Sequence, residues 1–224
     1  MPARNSLKIY GEDSYYHIYN RGVEKRNIFL DEMDFAVFLS YLKFYLSPVI
    51  DDDRNIFPSR RLKNYYGDVE MICYCLMQNH FHLLIKQFSR MAMSNFMRSL
   101  STRYSTYFNR KYHREGFLFQ GRYKAVQVHS EQQLVYLSRY IHRNPATSRT
   151  VLEVLESYRY SSLAVYLGRM KQSWVKHEVV TSLFSKTNKN LTYSSFVVDG
   201  EEPGIIHDLT IDGSTTSRTV LEVG

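Results

Sequence analysis

Two histidines, His80 and His82, and a tyrosine and asparagine further along, Tyr140 and Asn144, are the residues of this chain best equipped for chemistry. The histidines open an apolar run, Phe81 to Ile85, that reads as a β-strand. Strand side chains alternate faces, so both imidazoles share one face while Phe81 points into a core on the other. Residues two apart on a strand are separated by about 7 Å, close enough for two imidazoles to converge on one metal ion. Tyr140 and Asn144 stand one turn apart in a segment patterned as a helix, and so they too share a face. Together the two faces would set a phenol beside a metal ion and its ligands, the equipment for opening a phosphodiester by tyrosine attack.

Each of these residues also has a plainer reading. A His-x-His pair is often structural, and a helix tyrosine often packs on a sheet. Asn144 adds an amide oxygen to the two imidazole nitrogens, a set that suits Mg²⁺ or Mn²⁺ and leaves positions for phosphate oxygen and water. Tyr136 lies one turn before Tyr140 on the same face and competes with it as nucleophile. A phenol has an ordinary pKa of about 10, and the sequence names no base for it. A zinc reading uses Cys73, Cys75, His80 and His82, but C-x-C is unusual zinc spacing and a tight hairpin places the pairs badly around one ion. His17, His113, His129 and His142 have no partner that the sequence identifies.

The elements that must position these residues follow from periodicity. Tyr15 to Tyr19 alternates as a strand and runs into a turn at Asn20-Arg21-Gly22. Phe35, Phe38, Leu39, Leu42, Tyr45 and Leu46 recur at helical spacing, with Asp31 as N-cap. Residues 48–66 read as a polar connection. Val69–Met77 and Phe81–Lys86 form a hairpin through Gln78-Asn79. A helix is expected over Met91–Tyr112, a strand over Phe117–Val128 and a helix over Glu131–Arg143, stopped at Pro145. Short helical stretches follow around Ser161–Leu167 and Val179–Leu183. The order β-α-β-β-α-β-α predicts an α+β fold, a ferredoxin-like antiparallel sheet with helices packed on it. Residues 1–167 form the expected domain. Residues 168–224 are an extension, partly helical, with a Ser/Thr/Gly-rich tail expected to be mobile.

Composition bounds the partners. The 224 residues carry a net charge of +7 and include 19 tyrosines. Residues 168–224 hold 6 basic and 7 acidic side chains, leaving 23 against 15, or +8, for residues 1–167. That imbalance suits a polyanion. Arg98, Arg103, Arg110, Lys111, Arg114, Arg122 and Lys124 face only Glu115 over residues 98–124, and Tyr107 is among the aromatics between them. Such a stretch can hold phosphates and stack on unpaired bases; it is equally what a solvated helix face over a buried aromatic stripe looks like. Two cysteines this close make no structural disulfide, and neither a leader nor an 18-residue apolar run is seen, so a cytoplasmic protein is expected.

Six blocks then occur in order: Tyr16–Gly22 (YHIYNRG), Ile28-Phe29, Cys75–Leu84 (CLMQNHFHLL), Gly116–Arg122 (GFLFQGR), Arg139–Pro145 (RYIHRNP) and Tyr160-Ser161-Ser162. The series, over residues 15–167, resembles the REP-associated tyrosine transposases, single-tyrosine relatives of the insertion-sequence single-strand transposases in the HUH nuclease superfamily. The resemblance implies that His80 and His82 hold the divalent metal, that Tyr140 rather than Tyr136 is the nucleophile, and that Asn144 falls where relatives carry a polar third ligand, commonly Gln. Gln78 stands where such proteins usually have proline. The implied activity is metal-dependent cleavage and rejoining of hairpin-forming single-stranded DNA, imperfect palindromic repeats, through a 5′-phosphotyrosine, by a monomer or a homodimer. A catalytically silent hairpin-binding protein on the same fold is the alternative.

Overall fold

The computed structural model describes residues 10–49, 63–146, 151–185, 188 and 191–198. Most of the expected polar connection at 48–66 and the Ser/Thr/Gly-rich tail lie outside them. The element order is β1 (Ser14–Arg21), a 3-10 turn (Val23–Lys25), α1 (Glu32–Leu46), β2 (Val69–Met77), β3 (His80–Gln87), α2 (Ala92–Lys111), β4 (Lys124–Val128), α3 (Glu131–Arg143), α4 (Val151–Ser157), α5 (Leu163–Tyr166), α6 (Glu178–Thr181) and α7 (Tyr193–Val198). The strands form one antiparallel sheet in the order β2-β3-β1-β4. This is the ferredoxin-like α+β arrangement, with helices on both faces.

Cross-strand partners share a face, and the register sorts the side chains into two sets. One set, including Tyr16, Ile18, Tyr74, Leu76, Phe81, Leu83 and Ile85, is buried under α1 and α2 with Phe38, Leu42, Phe96, Leu100 and Tyr104. The other holds Cys73, Cys75 and Leu84 under Leu134, Leu137, Tyr140 and Ile141 of α3. His82 pairs with Tyr19 and Cys75, and His80 with Arg21 and Met77, so both histidines lie on the α3 face. A bulge between Met71 and Cys73 sends Met71 into the first layer and Ile72 into the second.

Local chemistry fixes the ends of these elements. Asp31 caps α1 in a capping box, its side chain accepting from Asp34 N–H while the Asp34 carboxylate takes the Asp31 N–H. Asp34 is fully buried and also accepts from Leu30 N–H, the Tyr107 and Tyr112 hydroxyls and Lys111 Nζ. The β1 turn needs glycine at position 22: a Cβ there would lie 2.2 Å from the Arg26 carbonyl oxygen. The β2–β3 hairpin is held from outside, because the Gln78 carbonyl accepts from Ile28 and Phe29 N–H and the Asn79 carbonyl from Gly22 N–H.

Three expectations are corrected. The strand expected over Phe117–Val128 is only β4, because the chain passes through positive φ at Gly116 and Gly121 and drops Leu118 and Phe119 into the α1/α2 layer. Helices α4 and α7 were not expected. The Tyr160-Ser161-Ser162 segment precedes α5 and zips along the edge of β2: Leu76 N–H donates to the Tyr160 carbonyl and Ser162 N–H to that of Tyr74. That cover protects a strand edge that would otherwise be open. Beyond residue 167, Trp174 stacks on Tyr74 with ring centres 5.4 Å apart, Val175 pairs with Met71, and α7 packs on α3.

Candidate active site

The α3 helix begins at Ser130, whose hydroxyl accepts from Gln133 N–H, and ends at Asn144. Leu134, Leu137 and Ile141 bind it to the sheet. That seating carries Tyr140 over the histidines: its ring meets His82 edge-on at 5.6 Å and His17 at 6.2 Å between centres. His80 and His82 stand 5.0 Å apart, ring centre to ring centre, nearly perpendicular. Asn144 donates from Nδ2 to the Tyr140 carbonyl, and its side-chain amide is near enough to both imidazoles to favour their protonated form. The four residues singled out by spacing therefore meet at one place.

Burial governs the electrostatics. It holds the pKa of His82 well below the ordinary histidine value, helped by the neighbouring His17 and His80. It lowers His80 as well, with the Arg21 charge acting in the same direction and Asn144 against it. Both imidazoles are thus kept neutral, the form that ligates metal. His82 Nδ1 lies 2.9 Å from His17 Nε2, and His17 is also fully buried. When His82 Nδ1–H donates to His17, the lone pair of His82 Nε2 is left for a ligand; that atom is buried with no hydrogen-bond partner. His80 Nδ1 is 2.6 Å from Asn79 Oδ1, so Nε2 is the nitrogen turned to other partners. Two imidazole nitrogens, one of them orphaned, with a side-chain amide beside them make a donor set that fits a divalent ion. Among the described residues no three His, Cys, Asp or Glu side chains converge on one point, so the third donor in such a set would be the amide.

The sequence assigned His17 no partner, although strand alternation from Tyr19 places it on the histidine face. Arg21 was missed too; it pairs with His80 across the strands and is held by Gln120. Tyr136, the rival nucleophile, is turned toward α7, with its ring against Phe196 at 5.4 Å and Arg139 at 4.9 Å. Cys73 and Cys75 lie fully buried in the apolar layer under α3, burial raises both thiols, and Cys75 Sγ is 3.8 Å from Met77 Sδ. They share the histidine face but add no cluster to it.

The basic stretch is divided. Arg98 and Arg122 line a cavity of about 780 Å³ between α2 and residues 116–123, with Asn20, Asn109 and Phe117, the last 86% exposed. Arg103, Tyr107, Arg110 and Lys111 line a second hollow on the other flank of α2. Within it Arg103 stacks over Tyr41 at 4.2 Å, and Lys111 is held by Asp31 and Asp34 at 2.7 and 2.8 Å. Arg114 packs over Phe108. Lys124, opposite Tyr19 on β4, is the member of the set that shares the histidine face.

Comparison with known proteins bears on the fold and the family. Residues 59–144 match the family model described as transposase, IS200-like. A solved structure described as the REP-associated tyrosine transposase bound to a REP hairpin superposes with a TM-score of 0.51 at 11% identity, covering 76% of this chain and 95% of that one. A transposase structure from Deinococcus radiodurans R1 aligns with a TM-score of 0.36 at 15% identity, over 63% of this chain and 98% of that one. No curated protein matches the chain. The resemblance read from six sequence blocks is matched by the IS200-like family model over residues 59–144, and the hairpin-bound neighbour shares the fold. Among the described residues no helix is long and apolar enough to cross a membrane.

Proposed function

We propose that this protein is a single-tyrosine HUH transposase that nicks and rejoins hairpin-forming single-stranded DNA using Mg²⁺ or Mn²⁺. The observation that carries it is the seating of α3, which brings Tyr140 over His82 and Asn144 beside both histidines within one chain. His80, His82 and Asn144 would hold the ion, which when bound polarises the scissile phosphate and offsets its charge. Tyr140 is the nucleophile: its oxygen bonds to phosphorus as the P–O3′ bond breaks, and the phenolic proton is lost as the departing 3′ oxygen gains one. The products are a 5′-phosphotyrosine and a free 3′-OH. Another 3′-OH attacking the phosphotyrosine restores a phosphodiester and the phenol, and because the covalent link keeps the bond's reactivity no ATP is required. Arg21 and Lys124 supply positive charge on the histidine face.

Residues 1–167 carry this reaction, and the described part of the extension, through Trp174, Val175 and α7, braces it. The hairpin would lie along the basic flanks of α2, with Arg98 and Arg122 at one cavity and Arg103, Arg110, Arg114 and Tyr107 at or near the other, while Lys111 is held by Asp31 and Asp34. Phe117 stands at the first cavity, where an exposed ring can stack on an unpaired base. Imperfect palindromic repeats are the substrate class, as the hairpin-bound structural neighbour suggests.

The test is a denaturing gel of the protein with Mn²⁺ and a pool of labelled single-stranded hairpins. A band retarded by the protein's mass, absent with EDTA and absent in Tyr140→Phe, is expected. Tight binding with no adduct from any hairpin would replace the enzyme with a silent hairpin-binding protein.

A further inference from the structure

The face of α3 turned away from Tyr140 is as deeply buried as the face that carries it. At 3.6 residues per turn, Ser138 and His142, two before and two after Tyr140, point roughly 160–200° from it. Both are fully buried although both are polar. An amphipathic helix laid on a sheet would show this side to water. Here it is covered by α7.

Tyr193, the first residue of α7, places its hydroxyl 2.9 Å from Ser138 Oγ and 2.8 Å from His142 Nδ1. The other ring nitrogen of His142 lies 2.8 Å from Ser162 Oγ, and Ser162 Oγ accepts from the Tyr74 N–H of β2 at 2.9 Å. A continuous buried chain thus runs from α7 through the tyrosine helix to the sheet. One turn along, Arg143 donates to the Val197 and Val198 carbonyls at 2.7 and 3.0 Å, satisfying the open end of α7. Phe196 packs on Tyr136 from the same side. Each contact is directional, and together they add a second constraint on the rotation of α3 about its axis to the packing of Leu134, Leu137 and Ile141.

Rotation of α3 is what aims Tyr140. Its ring sits about 5 Å from the helix axis, so a turn of about 15° would move the reacting oxygen by more than 1 Å, a displacement that can cost about a hundredfold in rate. We propose that Tyr193 and His142 are positioning residues. They form a clasp between the C-terminal segment and the back of α3 that holds Tyr140 in line with the phosphate over His80 and His82. The clasp rests on the proposed function for its purpose, and on the buried hydrogen bonds for its existence.

Two variants of the full chain test it. Tyr193→Phe keeps the ring among Phe184, Tyr166 and Phe196 while removing the hydroxyl, and Arg143→Met cuts the second attachment. One measurement is the single-turnover rate of adduct formation with Mn²⁺ and saturating labelled hairpin oligonucleotide; another is hairpin affinity; a third is amide exchange across residues 134–144 without DNA. In Tyr193→Phe the rate should fall about tenfold or more with affinity within about twofold, and exchange across 134–144 should quicken. Unchanged exchange and an unchanged rate at saturating DNA, with only a lower melting temperature, would reduce Tyr193 to packing and overturn the clasp. If the unaltered protein forms no adduct, the proposed function fails while the exchange comparison still decides whether the clasp exists.

Discussion

The two faces of the sheet are built from the same four strands and do opposite things. Under α1 and α2 the strands present Ile18, Phe81, Leu83 and Ile85 to interlocking aromatic rings, and the buried carboxylate of Asp34 is met by donors from Leu30, Tyr107 and Lys111. Under α3 they present His17, His82, Cys73 and Cys75, fully buried, and one imidazole nitrogen has no partner at all. A buried polar atom without a partner costs about 1–3 kcal/mol. The first face accounts for the stability that the second can give up. An imidazole nitrogen can stay unsatisfied on one face because the sheet is anchored by apolar packing on the other.

That division can be broken one face at a time. Tyr140→Phe should abolish the covalent adduct, a loss of at least about 10³-fold, with little change in melting temperature, because the ring stays against His82. Tyr136→Phe should keep the adduct; the reverse pattern on the gel would move the nucleophile. Phe38→Ala, amid Phe29, Phe81 and Tyr104, should cost about 3–5 kcal/mol in denaturant unfolding. The molecules that remain folded should still form the adduct, and loss of chemistry ahead of unfolding would show that the faces are not independent. Mn²⁺ at a hundred times its dissociation constant should stabilise the protein by about 2.7 kcal/mol, and His80→Ala should remove that gain in a thermal melt. A gain that survives the substitution would place the ion elsewhere.

Acid should act through the α3 face. Burial pushes His142 down to about 3 and holds His82 well below its ordinary value, so the unfolded chain binds protons that the folded one refuses. Stability is therefore present above pH 6.5 and declines as the pH falls through the range between the unfolded and folded values. At pH 5 the His142 contribution alone amounts to about 2 kcal/mol of loss, if its unfolded pKa is about 6.5. Equilibrium unfolding of the native chain and of His142→Gln between pH 7 and 5 checks the sign, since the variant should lose less.

How much of this was legible beforehand follows the same division. The α1/α2 face was plain, because its apolar residues keep strict period: Asp31 as cap, the α1 stripe and Val69–Met77 stand where spacing put them. Tyr140, Asn144, His80 and His82 were legible as pairs, since strand and helix periods each fix one face. Their meeting depended on the seating of α3, which no local pattern encodes. His17 was readable from the alternation with Tyr19, but its partner lies 65 residues away across the sheet. Tyr193, Ser138 and His142 were invisible, because buried polar residues break the hydrophobic period that identifies a buried face. Lys111 shows the converse: its charge is seen in sequence, and its pairing with Asp31 and Asp34, some 80 residues earlier, is not.

Lys111 gives the smallest of the expected effects and the sharpest test of that last point. It was grouped with the DNA-binding cations, yet it sits in the α1 cap between two carboxylates, one fully buried. A cation already paired releases few counterions on meeting a phosphate, so Lys111→Met should leave the salt dependence of hairpin binding as it was. Arg122→Ala, at the exposed rim of the first cavity, should reduce that slope by about 1. Lys111→Met should instead lower stability by about 1–2 kcal/mol, because Asp34 keeps its other donors but loses its counter-charge. If the slope falls and stability does not, the cap opens to DNA, and the α1/α2 face takes part in binding as well as in holding the sheet together.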